Sequence, residues 1–154
     1  MSTFVRGGMD WEHGTAMMVG PWQLGHADPS PETLEYWRGV ERDELLIKRC
    51  TGCGRHHHPR RILCYDCGSD RLKWIRSEGP AEVYTFSVVH RGPTDALQAE
   101  TPYTVGIVRL PEGVFFFARL SPGDGTGISV GAQAELGFEE IGAHGKLPVF
   151  RVGS

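Results

Sequence analysis

The chain has 154 residues, of which 40% are hydrophobic and 23% charged, with a formal net charge of −3 and a pI near 6.1. These values suit one compact unit or two small ones, and they exclude the overall basic footprint of a nucleic-acid binder. No apolar run reaches the roughly 20 residues that span a bilayer, and residues 1–30 lack a basic start followed by an apolar core, so a cytoplasmic, thiol-reducing location is expected.

Residues 1–29 mix Gly7-Gly8, Gly14, Gly20-Pro21 and Gly25 with apolar residues that follow neither helical nor strand period. An irregular arm is expected there. Its Phe4, Trp11, Met17, Met18 and Trp22 suit docking on this protein or on a partner better than solvation. Ser30-Pro31-Glu32 then reads as a helix start, with serine as N-cap, proline in the first turn and a carboxylate near the positive end of the dipole. Leu34, Trp37, Val40 and Leu45 continue at partial helical spacing, which predicts a helix over about 31–43. Leu45 to Arg49 reads as a short strand leading into Cys50.

All four cysteines fall between 50 and 67, as Cys50, Cys53, Cys64 and Cys67, in the pattern Cys-x2-Cys-x10-Cys-x2-Cys. Each pair is followed by a glycine, Gly54 or Gly68, which permits a tight turn that aims backbone N–H groups at the sulfurs. Two facing knuckles form a tetrahedral four-thiolate site, and Zn²⁺ accepts four thiolates at about 2.3 Å without redox chemistry. A closed shell leaves no position for water or substrate, so the metal is read as structural rather than catalytic. Iron in a rubredoxin-like shell satisfies the same spacing. Two disulfides or a thioredoxin-like redox pair are the competing uses of these cysteines.

Leu72 to Ile75 returns as a strand that closes the ribbon. Beyond Gly79-Pro80, the segments 81–90, 103–110, 114–120, 132–138 and 147–152 are rich in β-branched and aromatic residues, and Pro111-Glu112-Gly113 makes a tight turn between the second and third. The expected fold is mainly β: an arm (1–29), a helix (30–44), a four-cysteine ribbon (45–78) and a small five-stranded barrel (79–154). In Phe115-Phe116-Phe117 the outer two rings should share one face and Phe116 the other, supplying the barrel interior plus one exposed side.

The run from Tyr36-Trp37 through Leu45-Leu46-Ile47-Lys48-Arg49-Cys50-Thr51-Gly52-Cys53-Gly54, then Pro59-Arg60 and Cys64-Tyr65-Asp66-Cys67-Gly68, resembles the DUF35 family. The likeness continues through Val83 to His90, Thr101 to Gly113 and Leu147 to Phe150, so it covers 31–152. The resemblance implies an N-terminal helix, a rubredoxin-like zinc ribbon and a C-terminal OB-fold. It further implies an accessory subunit of a thiolase or retro-aldolase complex acting on a CoA thioester, as in degradation of steroid side chains or aromatic compounds. The partner it implies is a thiolase-like large subunit that carries the catalytic residues, with two copies of each chain. Two features depart from the family: the arm, and the triplet His56-His57-His58, which is read as an exposed or partner-facing loop.

A catalytic set is not visible in the chain itself. No cysteine lies outside the metal motif, and neither His90 nor His144 is spaced to meet a carboxylate; Ser129 falls in a Gly-x-Ser-x-Gly match, Gly127-Ile128-Ser129-Val130-Gly131, but between two expected strands and without the strand-to-helix turn of a nucleophile elbow. The glycine-rich 121–127 lacks the P-loop lysine and a following helix. Arg55, Arg60, Arg61 and Arg91 are candidate contacts to CoA phosphates, since arginine suits bidentate phosphate binding; salt bridges to Asp66, Asp70, Asp95 or a partner are the plainer use. The stretch 92–102, ending in Pro102-Tyr103, is the expected partner-facing loop. An independent acyl-CoA or lipid-binding module is the alternative function, and single-stranded nucleic-acid binding by the barrel is the third.

Overall fold

In the computed structural model the described residues are 30–140 and 146–153. The arm expected over 1–29 and His144 lie outside them. Helix α1 spans Leu34–Glu41 and is followed by a three-stranded antiparallel sheet in the order β2-β1-β3, with β1 Leu46–Cys50, β2 His56–His57 and β3 Leu72–Arg76. The remainder is a closed five-stranded barrel of β4 Ala81–Val89, β5 Tyr103–Arg109, β6 Phe115–Ser121, β7 Gln133–Glu140 and β8 Lys146–Val152. A single turn of helix, α2 Asp95–Gln98, crosses between β4 and β5.

The helix is shorter than the sequence suggests, because its first turn closes locally. Thr33 N–H donates to the Ser30 carbonyl at 2.9 Å, and Ser30 N–H donates to Thr33 Oγ1 at 3.1 Å. Thr33 takes the cap position, and the first α-helical bond runs from Trp37 N–H to the Thr33 carbonyl. At the other end, Glu44 N–H returns to the Gly39 carbonyl at 2.8 Å and Asp43 N–H to the Val40 carbonyl at 3.1 Å, with Asp43 at φ 60°. That is a Schellman stop with aspartate in the left-handed position usually given to glycine.

Helix and ribbon meet through Gly39, where an added Cβ would lie 2.7 Å from Leu46 Cγ and 3.0 Å from the Glu44 carbonyl oxygen. Lys48 binds the same junction from inside. Although only 7% exposed, its Nζ donates to the carbonyls of Arg61 at 2.8 Å and Glu32 at 3.2 Å, and lies 4.5 Å from the centre of the Trp74 ring. Burial lowers its pKa, and the Glu32 charge opposes that shift.

The barrel alternates as a pleated sheet demands. Thr104, Gly106 and Val108 of β5 and Phe116, Ala118 and Leu120 of β6 turn inward. The barrel closes twice between distant segments: β6 pairs in parallel with β8 (Leu120 opposite Phe150), and β4 pairs with β7 (Ala81 opposite Ala134). One apolar cluster runs from Tyr36 and Val40 through Leu45 and Ile47 to Val83, Val108, Leu120 and Phe150, so helix, ribbon and barrel share a core. The glycine-rich 121–127 is a barrel connection, held by Thr104 Oγ1 donating to the Gly123 carbonyl at 2.8 Å. Only Phe116 of the phenylalanine triplet enters the barrel; Phe115 is 48% and Phe117 68% exposed.

Two readings of connecting segments are corrected. The histidine triplet is not an open loop, since His57 and His56 pair with Lys48 and Arg49 as a strand and alternation sends the His57 ring inward. The stretch 92–102 holds a helical turn whose Thr94 side chain accepts from Leu97 N–H, with Leu97 buried beneath it. Replacing Gly39 by alanine is expected to destabilise the chain by about 1–3 kcal/mol through overpacking against Leu46, offset by up to about 1 kcal/mol of helix propensity. Urea denaturation measures it, and an unchanged midpoint would show that Leu46 yields without cost.

Candidate metal centre and flanking clefts

Both knuckles have the same local build. Gly54 N–H donates to the Cys50 carbonyl at 2.9 Å, and Gly68 N–H to the Cys64 carbonyl at 2.8 Å. Their φ values of 81° and 71° lie in the left-handed region. The turn aims backbone N–H groups at the sulfurs as expected: the glycine N–H groups close it on oxygen, and those of the next residues, Arg55 and Ser69, reach the Cys53 and Cys67 sulfurs. The first cysteine of each knuckle is buried and the second exposed.

Ligand atoms of all four cysteines lie within 4.8 Å of one another. Cys50 and Cys67 sulfurs are 3.6 Å apart, and those of Cys53 and Cys64 3.5 Å. A disulfide needs about 2.05 Å, whereas sulfurs about 2.3 Å from a common tetrahedral centre sit about 3.8 Å apart. The spacing therefore fits a shared cation. Electrostatics agrees: the Cys50 thiol is drawn down to about 6, first by the Cys53 N–H, and the Cys64 thiol down, first by the Cys67 N–H. Cys53 is pushed up to about 12 and Cys67 upward; each keeps the N–H of the residue two positions on, but neighbouring sulfurs outweigh it. Four thiolates cannot gather without a positive charge among them, and a divalent ion removes that conflict. Cys50, Cys53, Cys64 and Cys67 would hold the ion, leaving no open position for substrate.

Beside the second knuckle, Arg55 pairs with Asp66 at 2.9 Å, as the plainer reading of that arginine expected. Arg55 and Arg61 both lie over the Tyr65 ring, at 5.2 and 5.0 Å from its centre. These residues border a cleft of about 360 Å³ that reaches His57 and the exposed Phe115. Arg60 and Tyr103 line a second, larger groove of about 540 Å³, walled by Trp37, Leu97, Phe116 and Phe117. His58, stacked on Phe116 at 5.2 Å, stands between the two and borders both. Arg91 and Pro102 are exposed and line neither. The candidate contacts thus divide into two clefts instead of forming one arginine rim.

Sequence reasoning missed Lys48, His57 and Tyr65 as participants. For Lys48 a weak signal was present: it is one of two cations between Ile47 and Cys50 on a mostly buried strand, and Arg49 is the exposed one. His57 gave none, because its burial follows from pairing with Lys48.

Comparison with known proteins places this geometry. Residues 37–73 match the family described as "ChsH2, rubredoxin-like zinc ribbon domain", and 74–139 match "ChsH2, C-terminal OB-fold domain". A "DUF35 domain-containing scaffold protein" of Methanothermobacter thermautotrophicus is 30% identical over 79% of this chain and 92% of its own length. The chain belongs to the DUF35 family. This DUF35 chain also superposes on the solved "Ltp2-ChsH2(DUF35) aldolase" with a TM-score of 0.72 and 28% identity, covering 82% of this chain and 98% of that one. The "Benzoylsuccinyl-CoA thiolase subunit BbsA" of Thauera aromatica is 27% identical over 62% of this chain and 65% of its own.

Purified chain is expected to carry one zinc per molecule by atomic emission, and stripping it should remove apparent folding free energy on the order of 10 kcal/mol. Visible ferric–thiolate absorption in place of zinc would assign iron instead, and an unaltered thermal transition after chelation would show that the metal does not support the fold.

Proposed function

We propose that this chain is a non-catalytic subunit of a heteromeric thiolase-superfamily enzyme that makes or cleaves a carbon–carbon bond in a CoA thioester. The observation that carries the reading is the shared architecture: helix, four-thiolate ribbon and closed barrel match the DUF35 chain of an aldolase over nearly its whole length. The likeness to a benzoylsuccinyl-CoA thiolase subunit supports the same partner class. Chemistry within this chain supports it too. Its only cysteines converge on one another, and His90 stands exposed at the end of β4. The thiolase nucleophile and bases then belong to the large subunit, and two copies of each chain form the complex. The role fits chains that degrade steroid side chains or aromatic compounds through CoA thioesters. Zinc held by the four cysteines keeps the ribbon rigid and takes no part in the reaction.

One observation favours a second reading. The groove of about 540 Å³ is lined mainly by apolar side chains, which suits an acyl chain bound by this subunit alone. Nucleic-acid binding has weaker support. Tyr84, Phe115 and Phe117 are exposed aromatics on the barrel, but Arg109 pairs with Glu82 and Arg119 with Glu100, both at 2.7 Å, so these cations are neutralised by carboxylates.

Co-expression with a thiolase-like large subunit from the same organism is expected to give a complex that co-purifies and gains thiolytic or retro-aldol activity over the large subunit alone. Absence of both would reject the reading. Calorimetric binding of an acyl-CoA to the isolated chain, in that case, would establish the second.

A further inference from the structure

His57 is the most conspicuous unmet polar group among the described residues. Its side chain is 1% exposed, yet neither Nδ1 nor Nε2 has a hydrogen-bond partner. The ring meets Tyr65 edge-on at 4.7 Å, Tyr65 is 55% exposed, and both residues line the cleft of about 360 Å³. A neutral imidazole offers one donor and one acceptor, and both are unanswered here.

The carboxylates nearest this cleft are already engaged. Asp66 is held by Arg55, and Glu112 accepts from Ser77 Oγ at 2.8 Å and Glu78 N–H at 3.3 Å. Arg61 has no ion pair among the described residues and lies on the Tyr65 ring. Exposed apolar surface flanks the same cleft: Phe115 borders it, and Tyr84 packs against Phe115 with ring centres 4.9 Å apart. Residues 55–61 contain three arginines and no acid in a chain whose net charge is −3. A cation and an imidazole N–H ringed by aromatics call for an acceptor of negative charge on an apolar ridge.

We propose that the cleft between the second knuckle and the barrel seats the thiolase-like large subunit, which inserts an aspartate or glutamate side chain between Arg61 and His57 while its apolar ridge covers Tyr65, Phe115 and Tyr84. The inference rests on the proposed function and adds the surface and the anchor. The partner carboxylate accepts from the His57 N–H and from the Arg61 guanidinium. Among the described residues the buried His57 has no hydrogen-bond partner and the exposed Arg61 no ion pair; the complex supplies both, which ties a locally unfavourable burial of His57 to assembly.

The test measures affinity for that thiolase-like large subunit by titration calorimetry, with the melting temperature of each variant alone. His57→Leu removes the unmet groups while keeping bulk. Its melting temperature is expected to match or exceed that of the wild type, and its affinity to fall about tenfold or more. Arg61→Glu keeps the Arg61 carbonyl that receives Lys48, leaves folding intact and lowers affinity at least as much. Arg76→Glu, on the exposed end of β3, is the control and binds as wild type. Affinities of His57→Leu and Arg61→Glu within about twofold of wild type overturn the proposal while the subunit role stands. Should His57→Leu fail to fold, Arg61→Glu alone decides by the same limit. A wild-type chain that does not bind removes the subunit reading, and this inference with it.

Discussion

Four sulfurs brought within 4.8 Å of one another set the constraint from which the rest of the molecule is arranged. Cys50 is the last residue of β1, and Leu72 opens β3 four residues after Gly68. Fixing the knuckles therefore fixes both outer pairings of β1, to His56-His57 on one side and Leu72–Arg76 on the other. The same strand carries Ile47 into the shared core, follows Leu45 which is also buried there, and presents Gly39 of α1 with Leu46. A ribbon too small to bury its own apolar surface is made rigid by thiolate coordination and then serves as the wall between helix and barrel.

This arrangement divides the labour between chain and partner. Several of the chemistry-bearing side chains are engaged within the fold: cysteines with one another, Lys48 with two carbonyls and an indole ring, Glu112 with Ser77 and Glu78. Two clefts on either side of the His58–Phe116 stack, with exposed Phe115 and Phe117 on adjoining outward positions of β6, present shape and aromatic area at the surface. The relatives of the family include a protein named as a scaffold and one named as a thiolase subunit.

Much of the fold is legible in the amino-acid sequence. The cysteine spacing reads directly because metal geometry demands it, and the five barrel strands read within a residue or two because pleating imposes alternation on β5 and β6. The losses have physical causes. Ser30 looks like a cap, but Thr33 captures its backbone first. His56-His57 carries a loop-like composition and becomes a strand only because Lys48 and Arg49 offer an edge to pair with. The larger groove combines α1, the ribbon and β6, whose residues are separated by about the length of a small domain, and no local pattern encodes that meeting.

The two closures of the barrel bear on how the chain is made. The ribbon draws all its strand pairings from Leu46 to Arg76, a contiguous stretch, so these can form while the remainder is still being synthesised. The barrel cannot do so. Ala81 waits for Ala134 and Leu120 for Phe150, which leaves an edge of β4 and an edge of β6 bare through most of translation. Glu82 and Arg109, opposite each other on β4 and β5, put a charged pair on that waiting sheet, the kind of side chain that disfavours edge-to-edge association.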